Sequence, residues 1–165
     1  MSEPLTFGPS PGGFALRRGD EVLARIVSDG DGSDEAATRL EIGESTWSLS
    51  IEGDREALAA TWQAVARDAA GEESAVYYHG SMRGGRVKIG DRSGSLRREL
   101  GLSSEWRLRF KPDAGLALRP TPGPEGMQLD LAYIPGSADV PELLLALICW
   151  SIVTEEATGP ARLSG

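Results

Sequence analysis

Basic side chains are concentrated in one part of the chain, and they are the residues best suited to chemistry. Residues 81–120 carry 10 basic and 4 acidic side chains, a balance of 10 − 4 = +6, whereas residues 1–80 carry 6 basic and 15 acidic, a balance of 6 − 15 = −9. Guanidinium and ammonium groups gathered on one face attract anions and hold them through charge-assisted hydrogen bonds. This segment is therefore the main candidate for a binding site.

The alternation within the segment predicts which way its cations point. In residues 106–111 a period of two places Trp106, Leu108 and Phe110 inward, and the cations between them outward. In residues 86–89 the same alternation turns the cations outward, so neighbouring strands would share one basic outer face. The alternative is a solvated strand face whose charges discourage edge-to-edge association. The residues predicted to bind a ligand are Arg86, Lys88, Arg107, Arg109, Lys111 and Arg119.

Three other patterns resemble reactive sites, but each has an ordinary structural explanation. His79 is the single histidine, so a zinc site or an imidazole triad lacks partners, and we expect a polar residue at a strand end. The acidic run 29–35 begins like a calcium loop, but Asp34 and Leu40 stand where that loop needs glycine and glutamate, which favours a solvated hairpin loop. The glycine-rich run 80–85 lacks the Gly-Lys-Ser/Thr of a phosphate loop. No catalytic residue, metal site or cofactor is predicted.

Length and charge limit the classes of protein that the chain can belong to. A chain of 165 residues is most simply one domain. The net charge of −8 argues against general binding to nucleic acid or to an anionic membrane. The single cysteine, Cys149, lies in an apolar run and is expected to be a buried thiol. The first 13 residues have no signal-peptide pattern, so we expect a cytoplasmic protein.

Most of the chain shows the pattern of short strands joined by tight turns. Apolar residues alternate with polar ones in segments about 10 residues apart, and Gly, Pro, Asp or Ser stands at the joints. The pattern predicts about eleven or twelve antiparallel strands. Residues 54–70 are ambiguous, because the alanine-rich run 57–66 suits a helix as well as a tightly curved strand.

A helix is predicted over about residues 140–156, and its composition decides the architecture. Between Leu143 and Val153 only Ser151 has a polar side chain, so such a helix must be buried on all sides or lie in lipid. The wholly apolar part would be about 16 Å long at about 1.5 Å per residue, short of a hydrocarbon core of about 30 Å. A tail anchor is the disfavoured alternative. We predict a mainly β (α+β) fold, an antiparallel closed barrel of about twelve strands around this buried helix.

This organisation resembles that of the tubby C-terminal-like superfamily, which includes the tubby, phospholipid scramblase and LURP-one-related proteins. The resemblance lies in the strand number, in the apolar run Val140-Pro-Glu-Leu-Leu-Leu-Ala-Leu-Ile and in strand-turn-strand repeats such as 14–24 and 86–96. It implies a twelve-stranded barrel around a C-terminal helix, covering residues 14–156. Members of that superfamily bind phosphoinositide or other membrane lipid, or act as interaction domains. The paired basic motif of tubby proteins and the cysteine cluster and calcium motif of scramblases have no counterpart here.

These observations predict a flexible segment over residues 1–13, one barrel domain over 14–158 and a flexible tail over 159–165. We expect a non-enzymatic binding or scaffold module that engages a small anionic ligand or an acidic protein partner through its basic outer face. The alternatives are a peripheral protein that binds anionic lipid, and a small hydrolase or nuclease whose site the sequence does not reveal.

Overall fold

A computed structural model describes residues 4–29, 37–53, 61–81, 84–99, 105–110, 114–123 and 125–158. These residues form twelve strands and one helix. In chain order they are β1 (Leu5–Ser10), β2 (Gly13–Arg18), β3 (Glu21–Asp29), β4 (Ala37–Ile42), β5 (Ser45–Gly53), β6 (Trp62–Arg67), β7 (Glu73–Ser81), β8 (Gly84–Ile89), β9 (Arg92–Arg98), β10 (Trp106–Phe110), β11 (Ala114–Gly123), β12 (Gly126–Tyr133) and α1 (Glu142–Thr158).

The twelve strands form a closed antiparallel barrel, as predicted. Each strand pairs with the strands before and after it in the sequence, and β1 pairs with β12 to complete the ring. Leu5 lies opposite Leu131 and Phe7 opposite Leu129 in this closing pair. Closure leaves none of the twelve described strands with an unpaired edge for association with another sheet.

Alternating side chains divide the barrel into an apolar interior and a polar exterior. The predicted inward residues Trp106, Leu108 and Phe110 are all buried, whereas Arg107 and Arg109 between them are exposed. The alternation arises because a period of two turns successive side chains to opposite faces of a sheet. It is interrupted in β6, where Ala64, Val65 and Ala66 are all buried.

α1 fills the barrel and lies nearer to one wall than to the other. Its backbone approaches β3 and β7 most closely and β6 and β12 less closely, and several inward residues of β3, β6 and β7 are alanines. On the other side, the large side chains of β10 and β11 occupy the wider gap. A ring of twelve strands is too wide for its own side chains to fill, and this arrangement supplies the missing volume.

Hydrogen bonds satisfy one polar group inside the buried helix and another just before it. Ser151, the one polar side chain of the apolar run, donates a 2.8 Å hydrogen bond to the carbonyl of Leu147. At the other end, the N–H of Val140 donates to the phenol oxygen of Tyr133 at 2.9 Å. Burial raises the pKa of Tyr133, so the phenol stays protonated where exposed tyrosines begin to ionise. No helix in the described residues meets the length and hydropathy needed to cross a bilayer.

Three sequence expectations are corrected or refined here. Residues 1–13 were expected to be flexible, but β1 occupies residues 5–10, because Leu5 and Phe7 alternate inward between prolines and glycines that resemble a loop. In the ambiguous segment 54–70, residues 62–67 form strand β6, and residues 54–60 lie outside the described residues. The helix runs over Glu142–Thr158 rather than 140–156, and the predicted tail 159–165 lies outside the described residues.

Candidate anion-binding groove

A groove of about 1080 Å³ opens on the wall of the barrel where the basic strands lie, and it reaches inward to the buried side chains of Val87, Phe110 and Ala114. Arg86 and Lys88 of β8 form one side of it, and Arg109 of β10 forms the other. β9 runs between these two strands. Its Ser93 and Ser95 line the groove with short outward side chains, and Gly94 between them lies opposite the inward residues Val87 and Phe110.

Strand register places one hydroxyl between two guanidinium groups. Ser95 lies directly opposite Arg86 on one side and directly opposite Arg109 on the other. Neighbouring strands are about 4.8 Å apart, so both arginines can reach a group placed over Ser95. Lys88 lies opposite Ser93, one outward position further along the same strands. An oxyanion over Ser95 would therefore meet two guanidinium forks and a hydroxyl donor.

Two other cations of the same wall have acidic partners that the cations of the groove lack. Arg107 pairs with Glu99 at 3.0 Å, and Arg119 lies 4.0 Å from Glu105. In the part of the chain that the structure describes, Arg86, Lys88 and Arg109 have no carboxylate within 4.0 Å. Among the described residues, no carboxylate therefore forms an ion pair with the cations of the groove.

A short turn after β12 borders the groove and is fixed to β11. The N–H of Ile134 donates to the carbonyl of Gly115 at 3.0 Å, and the N–H of Gly115 donates to the hydroxyl oxygen of Ser137 at 2.8 Å. The same hydroxyl donates to the carbonyl of Ala138 at 2.8 Å. These contacts hold residues 134–137 at a fixed distance from the basic strands.

The six predicted binding residues separate into three groups. Arg86, Lys88 and Arg109 line the groove. Arg107 and Arg119 are exposed on the same wall but lie outside the groove, where each is close to a glutamate. Lys111 lies outside the described residues. The basic strands β8 and β10 do not pair directly, because β9 intervenes.

The sequence pattern did not predict the other residues that line the groove. Tyr78, Ser93, Ser95 and the turn 134–137 also line it. The run Arg92 to Leu96 held a usable signal, since an antiparallel meander places its small residues between the two basic strands. A meander of β8, β9 and β10 predicts a groove over β9 rather than a continuous basic face.

His79 belongs to a separate cluster inside the barrel and not to a strand end facing solvent. Its ring stacks on Trp62 with 4.7 Å between centroids, and its Nδ1 lies 2.7 Å from the hydroxyl of Tyr77. The side chain is buried, because period two turns residues 75, 77 and 79 of β7 inward together. Within the described residues, no group of three or more His, Cys, Asp or Glu side chains is arranged to hold a metal ion. The acidic run 30–35 lies outside them.

Comparisons of the chain with protein-family models, with curated proteins and with solved structures gave no significant match. The architecture therefore stands on the strand pairing alone: a closed antiparallel barrel of twelve strands with one C-terminal helix inside it.

Proposed function

We propose that the protein is a non-enzymatic binding module that holds a small oxyanion, such as a phosphate, sulfate or carboxylate group, in the outer groove. The observation that carries the proposal is the set of three cations, Arg86, Lys88 and Arg109, that have no acidic partner among the described residues although the chain as a whole carries a net charge of −8. Like charges held close together repel each other, so a bound anion would stabilise this arrangement.

The placement of Ser95 gives the proposal its geometry. Two arginines approach the same point from opposite strands, and guanidinium forks match the planar and tetrahedral oxyanions through two parallel hydrogen bonds. The site lies on paired strands, so its backbone is fixed before the ligand arrives, and the ordering cost of binding is small. The tubby-like resemblance is compatible with this function at the level of architecture, and membership of that superfamily remains part of the proposal.

The test is a titration of the whole chain with inorganic phosphate and with sulfate, followed by isothermal calorimetry or by amide chemical shifts. Arg109→Gln and Arg86→Gln should each weaken phosphate binding by about 10-fold or more, since a hydrogen bond to a charged group contributes about 1.5–3 kcal/mol. Arg119→Gln is the matched control, because it removes the same charge from the same wall outside the groove.

Equal losses in the groove variants and in Arg119→Gln would indicate general attraction to a basic surface and would contradict a defined site. Amide shifts that map to Ser93 and Ser95 would support it. Affinity for phosphate that does not change in Arg86→Gln and Arg109→Gln would reject the proposal.

A further inference from the structure

The groove is bordered by apolar side chains as well as by cations. Among the described residues, the large hydrophobic side chains that are most exposed are Val22 at 36%, Tyr78 at 42% and Ile134 at 38%. Tyr78 and Ile134 both line the groove. Exposed apolar groups gathered beside a polar site commonly mark a ligand surface, whereas a single one elsewhere does not.

The register places these side chains at the two ends of one line across the wall. Tyr78 lies opposite Arg86, Ser95 lies between Arg86 and Arg109, and Gly115 lies opposite Arg109. Ile134 follows at the far end, with its backbone N–H bonded to the Gly115 carbonyl. The order across the barrel is therefore apolar, cation, hydroxyl, cation, bare glycine and apolar.

At the Ile134 end of this line, backbone contacts and hydrogen bonds fix the apolar border. Gly115 has no side chain, so the wall between Arg109 and the turn is flat backbone. The Cδ1 atom of Ile134 lies 2.8 Å from the position that a Cβ on Gly115 would occupy. Ile134 thus leans over the bare glycine, and Pro135 continues the apolar border. The hydrogen bonds from Gly115 and to Ala138 through Ser137 hold this border in place.

We propose that the ligand is a small acidic amphiphile: one phosphate, sulfate or carboxylate group joined to an apolar body that packs on the exposed side chain of Ile134, where that side chain covers Gly115. This inference rests on the proposed function, because the anionic group occupies the oxyanion position over Ser95. Ser95 and Gly115 are separated by two strand spacings, so the apolar body extends about 10 Å from the anion. A naphthyl or medium-length alkyl group has that reach.

The ligand can be a free metabolite-sized molecule or the head region of an anionic lipid, since both present an oxyanion next to apolar carbon. The shared chemistry predicts that affinity rises when an apolar body is added to the anion and not when a polar body of similar size is added. Burial of an aromatic ring against the turn should raise affinity about 10-fold over inorganic phosphate.

The experiment compares three probes on the whole chain: inorganic phosphate, glycerol phosphate and 2-naphthyl phosphate. We expect 2-naphthyl phosphate to bind about 10-fold more tightly than the other two. Ile134→Ser should remove most of this gain and leave the affinity for inorganic phosphate within about twofold, because the exposed side chain contributes apolar contact alone. Val22→Ser is the matched control, since it removes a similarly exposed apolar side chain from β3, and it should change neither affinity.

The outcomes separate this inference from the proposed function. Binding of phosphate that depends on Arg109, with no gain for 2-naphthyl phosphate, would overturn the amphiphile and leave the oxyanion site standing. Absence of phosphate binding would overturn both. Co-sedimentation with vesicles containing phosphatidic acid distinguishes the two sources: binding that Ile134→Ser abolishes assigns the amphiphile to lipid. Binding of 2-naphthyl phosphate without vesicle binding assigns it to a free ligand.

Discussion

The backbone N–H of Gly115 and the hydroxyl oxygen of Ser137 lie 2.8 Å apart, and this hydrogen bond connects the outer groove to the chain that leads into the helix. Gly115 belongs to β11, and Ser137 belongs to the turn that precedes α1. The turn thus serves two purposes: it borders the groove and directs the chain into the barrel.

Ser137→Ala should destabilise the protein by about 1–3 kcal/mol, because it leaves the buried N–H of Gly115 without an acceptor. Urea unfolding measures the loss, and hydrogen exchange at the Gly115 amide should accelerate. Ser48→Ala, at an exposed position of β5, is the control and should lie within about 0.5 kcal/mol of the wild type. Equal stability of the two variants would show that the turn is held by other contacts.

Tyr133→Phe removes the acceptor for the Val140 N–H at the entrance to the helix. We expect the free energy of unfolding, measured by heat or urea, to fall by about 1–3 kcal/mol, since Val140 is buried and its N–H would lose this acceptor. Tyr78→Phe removes a hydroxyl from an exposed ring and should have almost no effect on stability. A Tyr133→Phe protein as stable as Tyr78→Phe would mean that water replaces the phenol at this point.

Gly94→Ala should destabilise the barrel by at least about 2 kcal/mol. A Cβ at this position would lie 2.1 Å from the carbonyl oxygen of Arg109, so β9 and β10 would have to separate under the groove. Gly80→Ala is the matched control, because nothing lies within 4 Å of its Cβ position. Tolerance of alanine at both positions would contradict the close approach of these strands.

Cys149 should react with thiol reagents only when the protein unfolds. The side chain is completely buried in α1, and burial raises the pKa of its thiol, so the reactive thiolate is suppressed in the native state. Modification by a disulfide reagent should therefore follow the global unfolding rate and rise with urea. Rapid modification of the native protein, independent of urea, would place the thiol near the surface.

The same thiol predicts a loss of stability at alkaline pH. In the unfolded chain the thiol ionises above about pH 8.5, whereas the native thiol keeps its proton. The unfolded state then binds fewer protons than the native state, so the free energy of unfolding falls as pH rises. Between pH 8 and 9.5 this contribution should reach about 1 kcal/mol, and it should be absent from Cys149→Ala. Parallel pH dependences for the wild type and the variant would contradict it.

The hydrophobic pattern predicted the barrel because a helix placed inside a ring of strands meets the needs of both. A helix with no polar face needs burial on every side, and twelve strands need something to fill their ring. The sequence left the secondary structure undecided where residues suit both a helix and a strand. The sequence of β6 suits a helix as well as a strand because Ala64 and Ala66 are good helix formers, yet in the structure they face inward where α1 passes close to the wall. The amino-acid composition of a short segment cannot show which distant element will pack against it.

The binding residues were predicted in part for a related reason. Charge and alternation identify Arg86 and Arg109 as outward cations, but they do not say which of the outward cations find acids nearby. Arg107 pairs with Glu99 through a side-chain geometry that period two leaves open. The turn at Ile134 reaches the groove only because β12 is paired to β11, and its residues carry no charge that would mark them in advance.

The pairing of Leu5 with Leu131 has a consequence for synthesis on the ribosome. These partners are 131 − 5 = 126 residues apart, so the first strand emerges long before the strand that closes the ring with it. The helix that fills the interior is translated later still. During translation the first strands therefore remain exposed until the strand that pairs with β1 has been synthesised. Pairing between such distant segments is slow. Chaperones that shield extended apolar segments would meet this protein during translation, and its yield in cells should depend on them more than its final stability suggests.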